Sequence, residues 1–255
     1  MLDITPVFVP LAQPGWTFTA QDLEKVVTKK TRALVVNTPL NPCGKVFSRE
    51  ELSIIADFAA SHDLFVFTDE IYEHFVFDGK AHLSPATLPG MAERTITISG
   101  LSKVFSVTGW RLGYAICDPK WHQPIGHVND LVYVCAPSAL QMGAAKGLLE
   151  LDDSYYRAIS DDHQKKRDRF CASLTRAGLP PLVPDGAYYA LADISRLPGA
   201  DDKERAMFLL EKTGVAGVPG RAFFRGQAGR DLIRFCFAKR WPILEDACAR
   251  LERLA

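Results

Sequence analysis

The chain has 255 residues, enough for one large domain or a large plus a small one. Thirty basic side chains balance thirty acidic ones, so no net field would draw it to nucleic acid or an anionic membrane. An apolar share of 47% suits a substantial buried core, and no apolar run approaches the roughly 20 residues that span a bilayer.

Strand and helix patterns alternate through the first 120 or so residues, which predicts an α/β layered domain. Thr5 to Leu11 is a short apolar stretch, and Thr19-x-x-Asp22 opens a helix running to about Lys29. Arg32 to Asn37 contains Ala-Leu-Val-Val, a run suited to a strand buried on both faces. After a Pro-rich turn, Ser48-x-x-Glu51 has the form of a capping box, and Leu52, Ile55, Ala56 and Ala59 recur at helical spacing. Leu64 to Thr68 and Arg94 to Ser99 are the next buried strands, and Trp110 to Cys117 is a further one.

Beyond Pro137 the texture turns helical. Leu140, Ala144, Leu148 and Leu149 form one face, and a long charged helix runs from about Ser154 to Ala177. Strands follow at Tyr188 to Ala192 and Leu232 to Phe237. The closing helix has Pro242 in its first turn and buries Leu244, Ala247, Cys248 and Leu251. The expected division falls near residue 152, giving a large domain over 1–152 and a small α+β domain over 153–255.

Six cysteines without a Cys-x-x-Cys pair read as reduced, mostly buried thiols of a cytoplasmic protein rather than a disulfide framework. The histidines show no ligand spacing, so no metal site is expected. The opening Met1-Leu2-Asp3-Ile4-Thr5-Pro6 lacks the basic and then apolar segments of a secretory leader.

Three polar clusters stand at the ends of buried strands: Asn37 to Gly44, Asp69 to Tyr72, and Ser99 to Arg111. Open α/β sheets bind ligands just beyond the carboxyl ends of their strands, so the three clusters can serve one crevice.

These clusters resemble the class I/II aminotransferases, fold-type-I enzymes that use pyridoxal 5'-phosphate (PLP). Asn37-Thr38-Pro39-Leu40-Asn41-Pro42-Cys43-Gly44 resembles the family's Asn-x-Pro-x-Asn-Pro-Thr-Gly turn, with Cys43 in place of threonine. Asp69-Glu70-Ile71-Tyr72 is similar to its Asp-x-x-Tyr strand end. Ser99-Gly100-Leu101-Ser102-Lys103 with Thr108-Gly109-Trp110-Arg111-Leu112-Gly113-Tyr114 matches its lysine segment. The order and spacing agree, and the likeness runs the length of the chain. It implies a large domain with a mainly parallel sheet, a small α+β domain and a homodimer.

The resemblance also implies a task for each position. Lys103 would hold the cofactor covalently and move a proton, and its apolar and small neighbours could desolvate its amine. Alone, it would read as a solvated surface lysine. Asp69 would keep the cofactor's ring nitrogen protonated, with Glu70 as a neighbour rather than a rival. Asn41 and Tyr72 would donate to its phenolate oxygen, although singly they read as a turn residue and a core aromatic. Arg111 would grip the phosphate with its guanidinium fork, helped by Ser99 and Ser102; the family often has serine where this chain has Gly100. Arg234, within the apolar run Leu232-Ile233-Arg234-Phe235, would pair with a substrate carboxylate, the other reading being a structural salt bridge. Pro184 to Tyr189 and Val218-Pro219-Gly220-x-x-Phe223 resemble family landmarks that shape the small domain and the substrate entrance.

The activity implied is transfer of an amino group between an amino acid and a 2-oxo acid in two half-reactions, hence ping-pong kinetics. A β-lyase or decarboxylase on the same scaffold is an alternative, because fold does not fix function. So is a truncated, non-catalytic remnant. The latter follows from the expectation that in the family a long segment precedes the residue matching Leu2, carrying a strand, a phosphate-cradling helix N-terminus and a ring-stacking aromatic. Its absence would leave apolar surface open on the sheet and at the dimer face.

Overall fold

The computed structural model describes residues 4–254; Met1, Leu2 and Asp3, part of the opening stretch read for a leader, lie outside the described residues. The chain forms two compact units. One comprises Met1–Thr38, Phe47–Ile71 and His82–Asp152; the other comprises Pro39–Val46, Tyr72–Ala81 and Asp153–Ala255.

In the first unit, Thr5 to Leu11 adopts no regular structure, although Val9 and Leu11 pack against the core. Helix α1 (Ala20–Glu24) starts at the predicted capping box, with Thr19 accepting from the Asp22 amide. It stops short of the expected Lys29. Val26, Val27 and Thr28 are β-branched and lose rotamer freedom in a helix, and the Thr28 amide bonds the Thr31 hydroxyl instead, at 3.0 Å.

Strand β1 (Ala33–Asn37) is followed by α2 (Arg49–Ser61), whose Ser48 and Glu51 form the expected reciprocal cap. Strands β2 (Phe65–Asp69) and β3 (Thr95–Gly100), the one-turn helix α3 (Leu101–Val104) and strand β4 (Gly113–Ile116) complete a sheet of order β1-β2-β3-β4. The first three strands are parallel and β4 is antiparallel to β3. Leu52, Ile55, Phe58 and Ala59 of α2 pack with Val36, Val66, Leu88 and Met91 in one core.

Two strand expectations are corrected here. β1 is buried on one face only: Val36 is 6% exposed and its neighbour Val35 is 80% exposed. Successive side chains leave a strand on opposite sides, and α2 covers just one of them. β4 begins at Gly113 rather than Trp110, because Thr108–Trp110 form a 3-10 turn and Arg111 sits at φ 57°, outside the β region.

Two helices close this unit, α4 (Pro119–Val132) and α5 (Ser138–Glu150). The sequence reading missed α4, although Asp118 caps it and Pro119 occupies its first turn. In α5 the expected apolar face is not covered: Ala144 is buried, but Leu149 is 85% exposed. Among the described residues no helix is long and apolar enough to cross a membrane.

The second unit contains α6 (Asp153–Arg176), β5 (Pro181–Leu182), β6 (Tyr189–Asp193), α7 (Asp202–Thr213), β7 (Val218–Pro219), β8 (Leu232–Cys236) and α8 (Trp241–Leu251). Its sheet, of order β5-β6-β8-β7, is antiparallel throughout. Leu174, Leu191, Ile233, Phe235 and Leu244 are buried, and the Ser173 hydroxyl ties α6 to the Cys248 carbonyl of α8 at 3.0 Å. Leu244, Cys248 and Leu251 are buried as expected, with Ala247 half-buried. Cys43, Cys171 and Cys248 are buried; Cys135 is exposed.

Candidate active site

The register of the first sheet determines which residues share an edge. β2 and β3 run in parallel with Asp69 opposite Ile98, so Asp69 and the Gly100 end of β3 emerge on the same side. β4 runs the other way with Gly113 opposite Gly100, which brings its start, and Arg111 two residues before it, to that side as well. Ser102 and Lys103 lie on α3, directly after β3. Asp69, Ser99, Ser102, Lys103 and Arg111 therefore stand along one sheet edge.

Each is held differently. The Asp69 backbone carbonyl accepts from the Asn37 side-chain amide at 2.9 Å and the Thr38 amide at 3.1 Å, so β1 fixes its position. Its carboxylate is exposed and accepts from the Ile71 amide at 3.2 Å. Lys103 is half-buried between buried Leu101 and Val104. The Thr108 hydroxyl donates to the Ser102 carbonyl at 3.1 Å, tying α3 to the turn before Arg111. Arg111 is exposed, in the left-handed region that costs a non-glycine residue about 1–2 kcal/mol. Its Nη1 donates to the Thr108 carbonyl at 2.9 Å. Ser99 is buried, and its hydroxyl donates to the Glu70 carbonyl at 3.4 Å. A Cβ on Gly100 would come 2.9 Å from the Leu112 carbonyl, so this backbone excludes the serine that the family often has there.

Glu70, expected only as a neighbour of Asp69, is a buried centre of its own. It is 2% exposed and accepts from His82 Nε2 at 2.6 Å and from the Ser84 hydroxyl at 2.7 Å. No spacing rule links the three positions.

The second unit carries Asn41, Tyr72 and Arg234. Asn41 lies in a turn closed by the Leu40–Lys45 and Gly44–Leu40 backbone bonds, 2.8 and 2.6 Å long. Gly44 has φ +71°, and a Cβ there would overlap Pro184 and lie 2.5 Å from the Gly186 carbonyl. Arg234, half-buried on β8, donates from Nη1 to Asn41 Oδ1 at 2.8 Å. Its guanidinium carbon stands 4.0 Å from the Tyr189 ring centre and 4.4 Å from that of Phe223. Its Nε is buried and has no partner among the described residues. Tyr72 is buried, and its hydroxyl donates to that of Tyr189 at 3.4 Å. Burial, then the bond to Tyr189, pushes the Tyr72 phenol far above its ordinary pKa.

From the sequence, Tyr189 has a place in a strand and near the substrate entrance, and Phe223 a place in a turn, but neither is assigned a contact with Arg234. A signal for Tyr189 was available: β6 and β8 pair Tyr189 with Cys236 and Leu191 with Arg234, so Tyr189 and Arg234 are diagonal neighbours on one face.

The profile of the family described as aminotransferase class I and II matches residues 1–251. The chain belongs to the class I and II aminotransferases. The chain is 39% identical over 254 residues to aromatic-amino-acid aminotransferase 2 of Thermococcus litoralis, covering 98% of itself and 64% of that relative. It is 36% identical to kynurenine–oxoglutarate transaminase 3 of Rattus norvegicus, with 97% and 61% covered. The solved N-succinyldiaminopimelate aminotransferase of Mycobacterium tuberculosis superposes with a TM-score of 0.89 at 38% identity, over 94% of this chain and 63% of that one. The α/β fold with a mostly parallel sheet is thus of the aspartate-aminotransferase type, and the chain spans about 64% of the length of the first of these relatives.

Proposed function

We propose that the protein moves an amino group between an amino acid and a 2-oxo acid, using pyridoxal 5'-phosphate. The observation that carries this reading is the shared edge: a carboxylate, an amine and a guanidinium, Asp69, Lys103 and Arg111, beside the ends of parallel strands. That donor set suits a group that carries an aldehyde, a basic ring nitrogen and a phosphate. When bound, the cofactor supplies an electron sink for the charge left as a substrate α-proton departs.

Lys103 binds the cofactor and carries that proton. Asp69 holds positive charge at the ring nitrogen by attraction of opposite charges. Arg111 grips the phosphate, with Ser99 and Ser102 as further donors. Asn41 and Tyr72 donate to the cofactor's phenolate oxygen. Arg234 holds the substrate carboxylate, a role supported by its buried Nε, which has no hydrogen-bond partner among the described residues.

The names of the relatives span aromatic amino acids and kynurenine, so the proposal stops at an amino acid and its oxo acid. We also propose a homodimer, supported by the exposed apolar side chains of α4 and α5, among them Leu131 and Leu149. A cytoplasmic site of action is supported by the six free thiols.

The test is reduction with borohydride after mixing the protein with PLP. Labelling that maps to Lys103 and vanishes in Lys103→Ala is expected; label on other lysines, or none, refutes the reading. An amino acid alone should then convert the bound cofactor to its amine form. Release of pyruvate or carbon dioxide without that conversion would favour a lyase or decarboxylase.

A further inference from the structure

Tyr189 touches two groups to which the proposed function gives separate tasks. The Arg234 guanidinium carbon stands over its ring, 4.0 Å from the ring centre, and 4.4 Å from the centre of the Phe223 ring. The Tyr189 hydroxyl accepts from Tyr72 at 3.4 Å. Tyr72 and Tyr189 meet edge to face at 5.9 Å, and Tyr188 braces both, with ring centres 5.0 and 4.8 Å away. All of these residues lie in the second unit.

We infer that Tyr189 is a positioning residue that couples the anion-binding guanidinium of Arg234 to the hydroxyl of Tyr72. The inference rests on the proposed aminotransferase reading and adds a residue to which that reading gave no task.

Two physical effects act through the one side chain. A guanidinium held against an aromatic face keeps its charge while losing rotational freedom, so its fork is oriented before a carboxylate arrives. Asn41 anchors one end of that fork through Nη1. The second effect concerns the proton of Tyr72. In the structure that proton is directed to the Tyr189 oxygen. For Tyr72 to donate to an anionic oxygen, the pair must reverse, with Tyr189 donating to Tyr72. Linked hydroxyls polarise one another, so Tyr72 is then a stronger donor than it would be alone. Substituting phenylalanine removes the second effect and keeps the first. Substituting leucine removes both.

The experiment uses the PLP-loaded protein with 3-phenylpropionate and succinate, carboxylates that lack an amino group, as calorimetric probes. The pH titration of the cofactor's visible absorption is the second readout. Tyr189→Leu should weaken carboxylate binding about tenfold, the order expected for a lost cation–aromatic contact. Tyr189→Phe should bind within about twofold of the parent, yet move the absorption midpoint upward. Tyr72→Phe should move it further in the same direction.

Parent-like binding in Tyr189→Leu, together with a parent-like midpoint in Tyr189→Phe, overturns the inference. Tyr189→Phe preserves the packing, so its midpoint decides the hydroxyl half even if the leucine variant fails to fold. Arg234→Lys separates the two levels. If it leaves binding of both carboxylates intact, or if the parent takes up no cofactor, the aminotransferase reading itself fails and the inference falls with it.

Discussion

The buried Glu70 carboxylate makes a strong prediction about the stability of the first unit. It is 2% exposed and is satisfied by His82 at 2.6 Å and Ser84 at 2.7 Å. A hydrogen bond to a charged group contributes about 1.5–3 kcal/mol, and removing one partner of a buried pair also leaves desolvated charge uncompensated. His82→Ala should therefore cost about 3 kcal/mol, and Ser84→Ala about 2 kcal/mol. Glu70→Gln should cost less than His82→Ala, because a neutral amide can still accept one bond and donate to the Ser84 oxygen. Once the charge is gone, losing His82 matters less, so the double variant should fall short of the sum by about 1–2 kcal/mol. The assay is urea unfolding by tryptophan fluorescence in a Trp241→Phe background, which leaves Trp16, Trp110 and Trp121, all in the first unit, as reporters. Additive effects, or a His82→Ala variant within about 0.5 kcal/mol of the parent, would refute the reasoning.

Three further outcomes are expected. Hydrogen bonds from Arg176, then Arg169, hold the Glu252 carboxyl down at about 2 against an ordinary 4.5. A depressed folded-state pKa gives stability that is present above the ordinary value and lost as pH falls toward about 2. Thermal midpoints of the parent and Glu252→Gln should thus differ at pH 6 and converge in acid; parallel curves would contradict this. Ser48→Ala removes the cap of α2 and should cost about 1 kcal/mol in urea, whereas Ser48→Asp should restore most of it. Gly100→Ser restores the side chain common in the family but drives its Cβ to 2.9 Å from the Leu112 carbonyl. It should cost about 1–3 kcal/mol and loosen PLP retention, measured by dialysis; tighter retention would show that α3 yields easily.

Helix starts were legible wherever a side chain had to satisfy the first free amides. Thr19 with Asp22 and Ser48 with Glu51 both appear as written in the sequence. Asp201 with Glu204 at the start of α7 carries the same signal and was overlooked. Burial was harder to read. Ala-Leu-Val-Val is apolar at every position, so the run contains no alternation to reveal that Val35 faces out and Val36 in. What covers a strand face is decided by residues distant in sequence, here α2. The same holds for Leu149 on α5. Strands of two residues, β5 and β7, span only a single strand period, too short to show a repeat. That Asp69, Lys103 and Arg111 would stand along one sheet edge was legible because strand ends announce themselves. Glu70, His82 and Ser84 were not, because a buried polar cluster joins side chains that neither periodicity nor spacing connects.

The neighbours of Arg234 bear on whether its charge is structural or, as proposed, held ready for a ligand. An arginine in an apolar strand must recover the cost of leaving water, and a protein carboxylate would do so most directly. Such a bridge would also cancel the charge, leaving little attraction for an incoming anion. Here the guanidinium meets an amide oxygen on Asn41 and the faces of Tyr189 and Phe223. These neighbours are electron-rich but uncharged. They stabilise the cation and orient its fork while leaving the full positive charge available. If the charge were instead structural, replacing Arg234 with methionine should leave the unit as stable or more so and leave carboxylate binding unchanged. With the charge held for a ligand, the same change should abolish carboxylate binding whatever happens to stability. Measuring both on one variant therefore distinguishes the two roles.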